Sequence, residues 1–435
     1  MRMCKYLTDK INILQDTLFY LLASIVPALL LVLVNPFLAK NLSPDDYAII
    51  GYISSFASIV TPLVTFMLMR YYFVNYFKVD EDQRYRIKCS ILQLLICFSL
   101  LMSILVIICI LIYHYCFNSG STLPVVPYLF LSVGAIWLGA IFTFQLSEYR
   151  IQRNSGKYLL FSISNGIIKI GLLLLLVVLC GLGALGYELA TALTALFCFV
   201  FCFFRYRRCI FTKIDWGIIS SALRFCWPIA FAGCLEFFSN GLGRVLIERL
   251  NDNVEYGYYS VGNQFATYLN LITAALFTTF NPDIYECASK RNISKLYKLF
   301  FILVSVEIFV VLLFVVFAPF IVDILTAGRY IMSVKYAQIL AISQIFTIIF
   351  YYINDVTIAF GYPRVVLYTK MLVGIISIFL LNFLVSHFQY LGAAWGQSTI
   401  FILNSLVNIS IILLDIERHL YYEATTGYEL CSSGN

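Results

Sequence analysis

The sequence predicts an all-α membrane protein of about twelve transmembrane helices, arranged as two parallel-repeat six-helix bundles around a central cavity. Three observations carry that expectation. Hydrophobic residues fill 61% of the 435 positions and charged residues 12%, about half the charged share of a soluble domain. The apolar runs reach or exceed the ~20 residues that cross a hydrocarbon core. A polar pattern in the second run also returns in the eighth. At an offset of 209, Asp46-Tyr47 falls on Glu255-Tyr256, and Ser54-Ser55-Phe56-Ala57-Ser58 falls on Asn263-Gln264-Phe265-Ala266-Thr267.

The runs follow one another with short connections. "MRMCKYLTDK" leads, with no small-residue cleavage site, into span one at 17–38, which reads as a membrane helix and not a removable signal peptide. The polar elbow Asn35 to Asp46 opens span two at 47–68, and "RYYFVNYFKVDEDQRYR" leads on to span three at 88–113. Span four (125–147) and span five (158–180) flank "RIQRNSGK". Span six, at 183–204, ends on "RYRR". Span seven (218–246) and span eight (256–279) enclose an acidic turn, and spans nine to twelve occupy 297–320, 335–359, 365–386 and 391–414. No connection is long enough for a soluble domain. Residues 1–208 are expected to form the N-terminal bundle, and 209–435 the C-terminal bundle with a short cytoplasmic tail.

Lys and Arg set the orientation. With the N-terminus inside, twenty-one of the 29 basic residues fall in inner loops, chiefly Arg70 to Lys88, Arg150 to Lys157, Arg205 to Lys213 and Lys290 to Lys298. Five fall outside: Lys40, Arg244, Arg249, Arg329 and Lys335. That bias is the positive-inside pattern and makes both termini cytoplasmic. Two further echoes support the repeat: Glu148 maps to Asp355 at an offset of 207, and Leu185-Gly186 to Leu391-Gly392 at 206. Six is even, so the halves share one orientation, and a binding site is expected at their interface near the midplane.

Polar residues within the spans are the candidates for function. Ser54, Ser58, Thr61 and Thr65 share one face of span two, and Asn263, Thr267 and Asn270 one face of span eight. Such stripes serve either helix–helix hydrogen bonding or a wet passage. Their recurrence favours two walls facing each other. Lys169 lies twelve residues beyond Lys157, so ~18 Å into the bilayer at 1.5 Å per residue, too deep to snorkel. It points to anion binding, with Glu236 or Glu307 as a structural partner in the plainer reading. Arg244, two turns from Glu236, is either a cavity group or an interface anchor. Glu236 and Glu307 are the candidates for ion coupling, Glu307 as a titrating group or as the ion-pair partner of a lysine. Arg70, Arg224 and Lys370 lie nearer the inner surface, where they attract a phosphate from the cytoplasmic leaflet or anchor helix ends. Pro27, Pro62 and Pro228 offer hinges.

Several classes are not expected. The thirteen cysteines include no CxxC pair and lie mostly in apolar runs, as small hydrophobes. His114, His387 and His419 are scattered, and there is no Gly-rich phosphate loop, GxSxG or HExxH. Neither an enzyme nor a metal or other cofactor is predicted. The net charge of +6 resides in inter-helix loops and does not imply nucleic acid.

The opening "NPFLAKNLSPDDYAI" resembles that of polysaccharide-biosynthesis membrane proteins, with Ala48 where glycine is usual. The stretch "LRFCWPIAFAGCLEFFSNGLGRVLIERLNDNVEYGYYSVGNQF" resembles their seventh and eighth helices: Pro228, Gly243-Arg244 and Gly257-Tyr258-Tyr259-Ser260 stand in matching places, with Gly243 for the usual acid. "AFGYPRVVLYTKMLVG" resembles their tenth-to-eleventh connection. The resemblance covers nearly the whole chain. It implies an O-antigen flippase of the Wzx type, in the multidrug/oligosaccharidyl-lipid/polysaccharide exporter superfamily, residing in the bacterial inner membrane. Its implied activity is translocation of an undecaprenyl-pyrophosphate-linked oligosaccharide from the cytoplasmic to the periplasmic leaflet. An H+ or Na+ gradient is the implied drive, and membrane lipids and other O-antigen assembly proteins are the implied partners. Related lipid II flippases carry arginines in their second and eighth helices. Neutral residues stand there in this chain, which leaves Lys169 and Arg244 as the anion contacts. The alternatives are a drug/cation antiporter of the same fold, and a polytopic glycan polymerase or ligase, which would need a longer outer loop.

Overall fold

A computed structural model describes residues 19, 22–23, 26–27, 29–76, 79–117, 123–152, 154–289, 292–359 and 363–432, to which every structural statement below refers. The N-terminal "MRMCKYLTDK" lies outside them, as does much of the first part of span one.

The elements are all helices: α1 (Leu29–Asn41), α2 (Pro44–Thr65), α3 (Met69–Tyr76), α4 (Glu81–Phe117), α5 (Tyr128–Ile151), α6 (Ser155–Leu173) and α7 (Gly183–Ile210). Then come α8 (Trp216–Cys234), α9 (Glu236–Asn240), α10 (Leu242–Glu248), α11 (Asn253–Ser289), α12 (Ile293–Thr326), α13 (Val334–Ala359) and α14 (Pro363–Ser432). A non-helical residue, Gln389, divides α14 between the expected spans eleven and twelve. Large apolar side chains such as Phe301, Phe309, Phe317 and Phe320 stand exposed along α12, the pattern of a face turned to lipid. This is a multi-pass membrane protein.

Local chemistry explains where helices start and stop. Ser43 caps α2 in a reciprocal box with Asp46, and Pro44 occupies its first turn. Several helices outrun the expected spans: α4 begins at Glu81, not 88, because acidic residues suit a helix N-terminus though not hydrocarbon. Hydropathy marks the bilayer, and the helix continues into the interface. Span seven is broken into α8, α9 and α10, and the breaks fall at Leu235 and Gly241 while Pro228 sits inside a continuous α8. Close packing explains Gly241: a Cβ there would lie 2.6 Å from the Ser55 carbonyl oxygen of α2.

The repeat is visible in packing. Gly186 and Gly392, matched in sequence, each press against a carbonyl of the preceding helix, Leu176 and Leu384 respectively. The N-terminal and C-terminal halves of the chain meet along α2. A Cβ at Gly257 of α11 would overlap the Pro44 carbonyl, and one at Gly51 would overlap the Ser260 side chain. Farther along α2, Gly233 of α8 packs on Pro62. Only small residues allow backbones this near.

The end of the molecule rich in Lys and Arg, here the basic end, is held by a polar cluster in the first half. The Glu148 carboxylate accepts from Lys88 Nζ at 2.6 Å and from the Tyr206 hydroxyl at 2.6 Å. Glu148 is 4% exposed. Its replacement by alanine strands a half-buried ammonium, so Glu148→Ala is expected to cost about 3–5 kcal/mol of stability. A lowered thermal unfolding midpoint in detergent checks this, with Tyr206→Phe showing a smaller drop. Nearby, Arg86 pairs with Asp215, which caps α8. The Ile218 N–H that Asp215 accepts, followed by Arg86, lowers its pKa from the usual carboxylate value.

Candidate functional site

Between the halves lies a cavity of about 650 Å³. Its walls come from α2 (Tyr47, Gly51, Ser54), α5 (Ser132, Thr143), α6 (Asn165, Lys169) and α7 (Tyr187, Glu188, Thr191, Thr194), with Leu31 of α1 at one edge. The second half supplies Arg244 from α10 and Ser260, Asn263, Gln264, Thr267 and Tyr268 from α11. The helical period explains the selection. Asn165 and Lys169 are one turn apart, and Glu188, Thr191, Ala195 and Cys198 follow one face of α7. Polar side chains gathered in hydrocarbon find partners here or in water.

Three charged groups face this space. Arg244 does not snorkel outward: Nη1 donates to Ser54 Oγ at 3.0 Å and Nη2 to the Asn240 carbonyl at 3.0 Å. This bond joins the two halves directly. Lys169 and Glu188 attract each other electrostatically from adjacent helices, yet among the described residues they are not closed into a direct ion pair. Two cations and one acid leave the cavity with a positive balance. Tyrosines 47, 187 and 268 add aromatic faces and hydroxyls, and Gln264 Nε2 donates to the Tyr268 hydroxyl at 2.8 Å.

The other sequence candidates sit elsewhere. Ser58 and Thr61 lie nearer the basic end, outside the lining, and Ser58 donates to its own helix at the Ser55 carbonyl. Asn270 is half-buried beyond the lining of α11. Arg70 and Arg224 are exposed. Lys370 and Glu236 pair with each other at 2.9 Å, beside a small cleft within the second half. Glu307 is buried and takes its hydrogen bond from Thr273 at 2.8 Å, not from a lysine, while its second oxygen has no partner. Neither Glu236 nor Glu307 partners Lys169. That place belongs to Glu188, which the sequence reading passed over although its one-faced polar series in span six was readable.

The cavity is closed at the end opposite the basic one, here the turn end. Asn35 donates to the Leu325 carbonyl at 2.8 Å and accepts from Gln264 at 3.1 Å. The Tyr330 hydroxyl donates to the Leu42 carbonyl at 2.5 Å, and Arg329 to the carbonyls of Ala39 and Lys40. Arg249 reaches the Tyr113 hydroxyl at 3.0 Å. At the basic end, α8 is the element of the second half that packs against α2, α3 and α4.

Solved structures share this architecture. The eukaryotic MATE transporter AtDTX14 superposes with a TM-score of 0.64 at 16% identity, covering 93% of this chain and 94% of its own. A multidrug-resistance MATE transporter in an inward-facing conformation gives 0.60 at 15% identity, covering 94% and 96%. A transporter from Pyrococcus furiosus, whose binding pocket is described as reversed in polarity, gives 0.59 at 13%, covering 94% and 95%. No curated protein matches the sequence. The fold is that of these MATE transporters. The sequence matches the polysaccharide biosynthesis protein family over residues 13–287, and the chain belongs to that family.

Proposed function

We propose that the protein is an O-antigen flippase. It moves an undecaprenyl-pyrophosphate-linked oligosaccharide from the cytoplasmic to the periplasmic leaflet of the bacterial inner membrane. The observation that carries the reading is the cavity: neutral polar and tyrosine walls with Lys169 and Arg244 as its cations. A lipid-linked sugar has a tail that stays in hydrocarbon, a pyrophosphate that seeks cations and a glycan that needs a wet, hydrogen-bonding passage. Lys169 and Arg244 hold the pyrophosphate, while Ser54, Asn263 and Thr267 bond sugar hydroxyls and the tyrosines stack on sugar faces. Arg70 and Arg224, exposed at the basic end, gather the phosphate from the cytoplasmic leaflet.

Transport proceeds by alternating access, with the bundles 1–208 and 209–435 rocking about the α2 seam. The Lys/Arg bias supports a cytoplasmic basic end and cytoplasmic termini, so the described state, shut at the turn end, is the loading state. An H+ or Na+ gradient drives the cycle through Glu236 and Glu307, both outside the cargo cavity. A drug/cation antiporter would want acids in its cavity, and the single acid here is outnumbered by two cations.

Deletion of the gene in a strain with no second exporter, with plasmid complementation, tests the reading. Surface glycan is expected to vanish while lipid-linked oligosaccharide accumulates on the cytoplasmic leaflet. Normal surface glycan in the deletion strain would sink it.

A further inference from the structure

Lys169 projects from α6 and Glu188 from α7 into the same wall of the cavity. Their charges attract, but no direct ion pair closes between them among the described residues. A lysine whose only task is structural would be closed onto its carboxylate, as Lys88 is onto Glu148 at 2.6 Å. Here both side chains line the cavity without closing onto each other. The remaining titratable groups around them are Tyr187 and Cys198 on α7, Tyr47 on α2, Arg244 on α10 and Tyr268 on α11. The lining from α5 is uncharged.

We infer that Glu188 is the residue by which the cavity tells a glycosylated lipid pyrophosphate from the bare carrier, an inference that rests on the flippase reading. The physics is a competition. A carboxylate beside a phosphate seat repels the phosphate through a medium of low dielectric constant. A sugar joined to that phosphate brings hydroxyl donors, and a hydroxyl donating to a carboxylate forms a strong charge-assisted bond. The same side chain thus penalises the empty carrier and rewards the loaded one, and specificity is the difference between those two affinities. Lys169 supplies the attraction common to both.

The test measures the affinity of two probes for the purified full-length protein in lipid nanodiscs: undecaprenyl pyrophosphate, and the same lipid bearing one N-acetylglucosamine. Glu188→Gln keeps the shape and removes the charge. The variant is expected to bind undecaprenyl pyrophosphate about tenfold more tightly than wild type and to lose most of the preference for the glycosylated lipid. Lys169→Gln is expected to weaken both probes together. If Glu188→Gln leaves the ratio of the two affinities unchanged while Lys169→Gln weakens both, the discrimination is overturned and the flippase reading stands. If Lys169→Gln affects neither probe, the phosphate seat is not beside Glu188 and the inference falls; if wild type binds neither probe, the flippase reading falls with it. The double variant separates a direct role from a structural one, since a selector keeps shifting the ratio when Lys169 is absent and a mere brace for Lys169 does not.

Discussion

Lys169→Ala is expected to abolish export of the proposed lipid-linked oligosaccharide while the protein remains in the membrane at wild-type level. The two halves of that result come from one observation. Lys169 makes no direct ion pair among the described residues, so removing it breaks no closed contact in the fold. It also ends a burial that costs about 2.5–3.5 kcal/mol on insertion scales. What disappears is a cation at the proposed pyrophosphate seat, and bonds to a charged partner are the ones a neutral substitute cannot replace. Arg244→Ala should impair export too, but with some loss of protein, because Arg244 also bridges to Ser54 and the Asn240 carbonyl. Immunoblots of membranes beside an assay of surface glycan check both variants. Wild-type export by Lys169→Ala would remove this residue from the mechanism.

Gly257→Leu is expected to prevent the turn end from closing. A Cβ at position 257 would overlap the carbonyl of Pro44, a backbone atom that cannot swing aside as a side chain could. The helices α2 and α11 must separate, and the contacts at Asn35, Arg329 and Tyr330 separate with them. Spin labels at Asn41 and Asn251, exposed on opposite halves, should report a longer distance in Gly257→Leu than in wild type, with export lost. Gly171→Leu is the control, because the position is exposed and an added Cβ there meets nothing within 4 Å. An unchanged label distance in Gly257→Leu would show that the seam yields in some other way.

Much of the architecture was legible because a bilayer imposes length and apolarity on each crossing, and the repeat left its echo in ordinary residues. The cost of a buried charge singled out Lys169. Partnerships were a different matter. Glu236 and Lys370 are 134 residues apart, and hydropathy carries no record of which distant helix a side chain meets. Glu188 sits near the start of span six, where a carboxylate reads as interfacial until the face it shares with Thr191 is seen to line the cavity. The break of span seven at Gly241 was hidden because Pro228 offered the more familiar explanation for a bend. Ser58 and Thr61 share a stripe with Ser54, yet the cavity runs along α2 only as far as Ala57.

Part of the closure at the turn end is chemically one-sided. Asn35, Arg329 and Tyr330 contribute side chains, but at Ala39, Lys40, Leu42 and Leu325 they grasp main-chain carbonyls. Every amino acid has that oxygen. Drift at positions 39, 40, 42 and 325 therefore leaves these bonds available, whereas drift at 35, 329 or 330 removes them. Natural variation across relatives should accordingly crowd into the grasped positions and spare the grasping ones. A rim met by changing surroundings can then vary its surface chemistry without surrendering its seal.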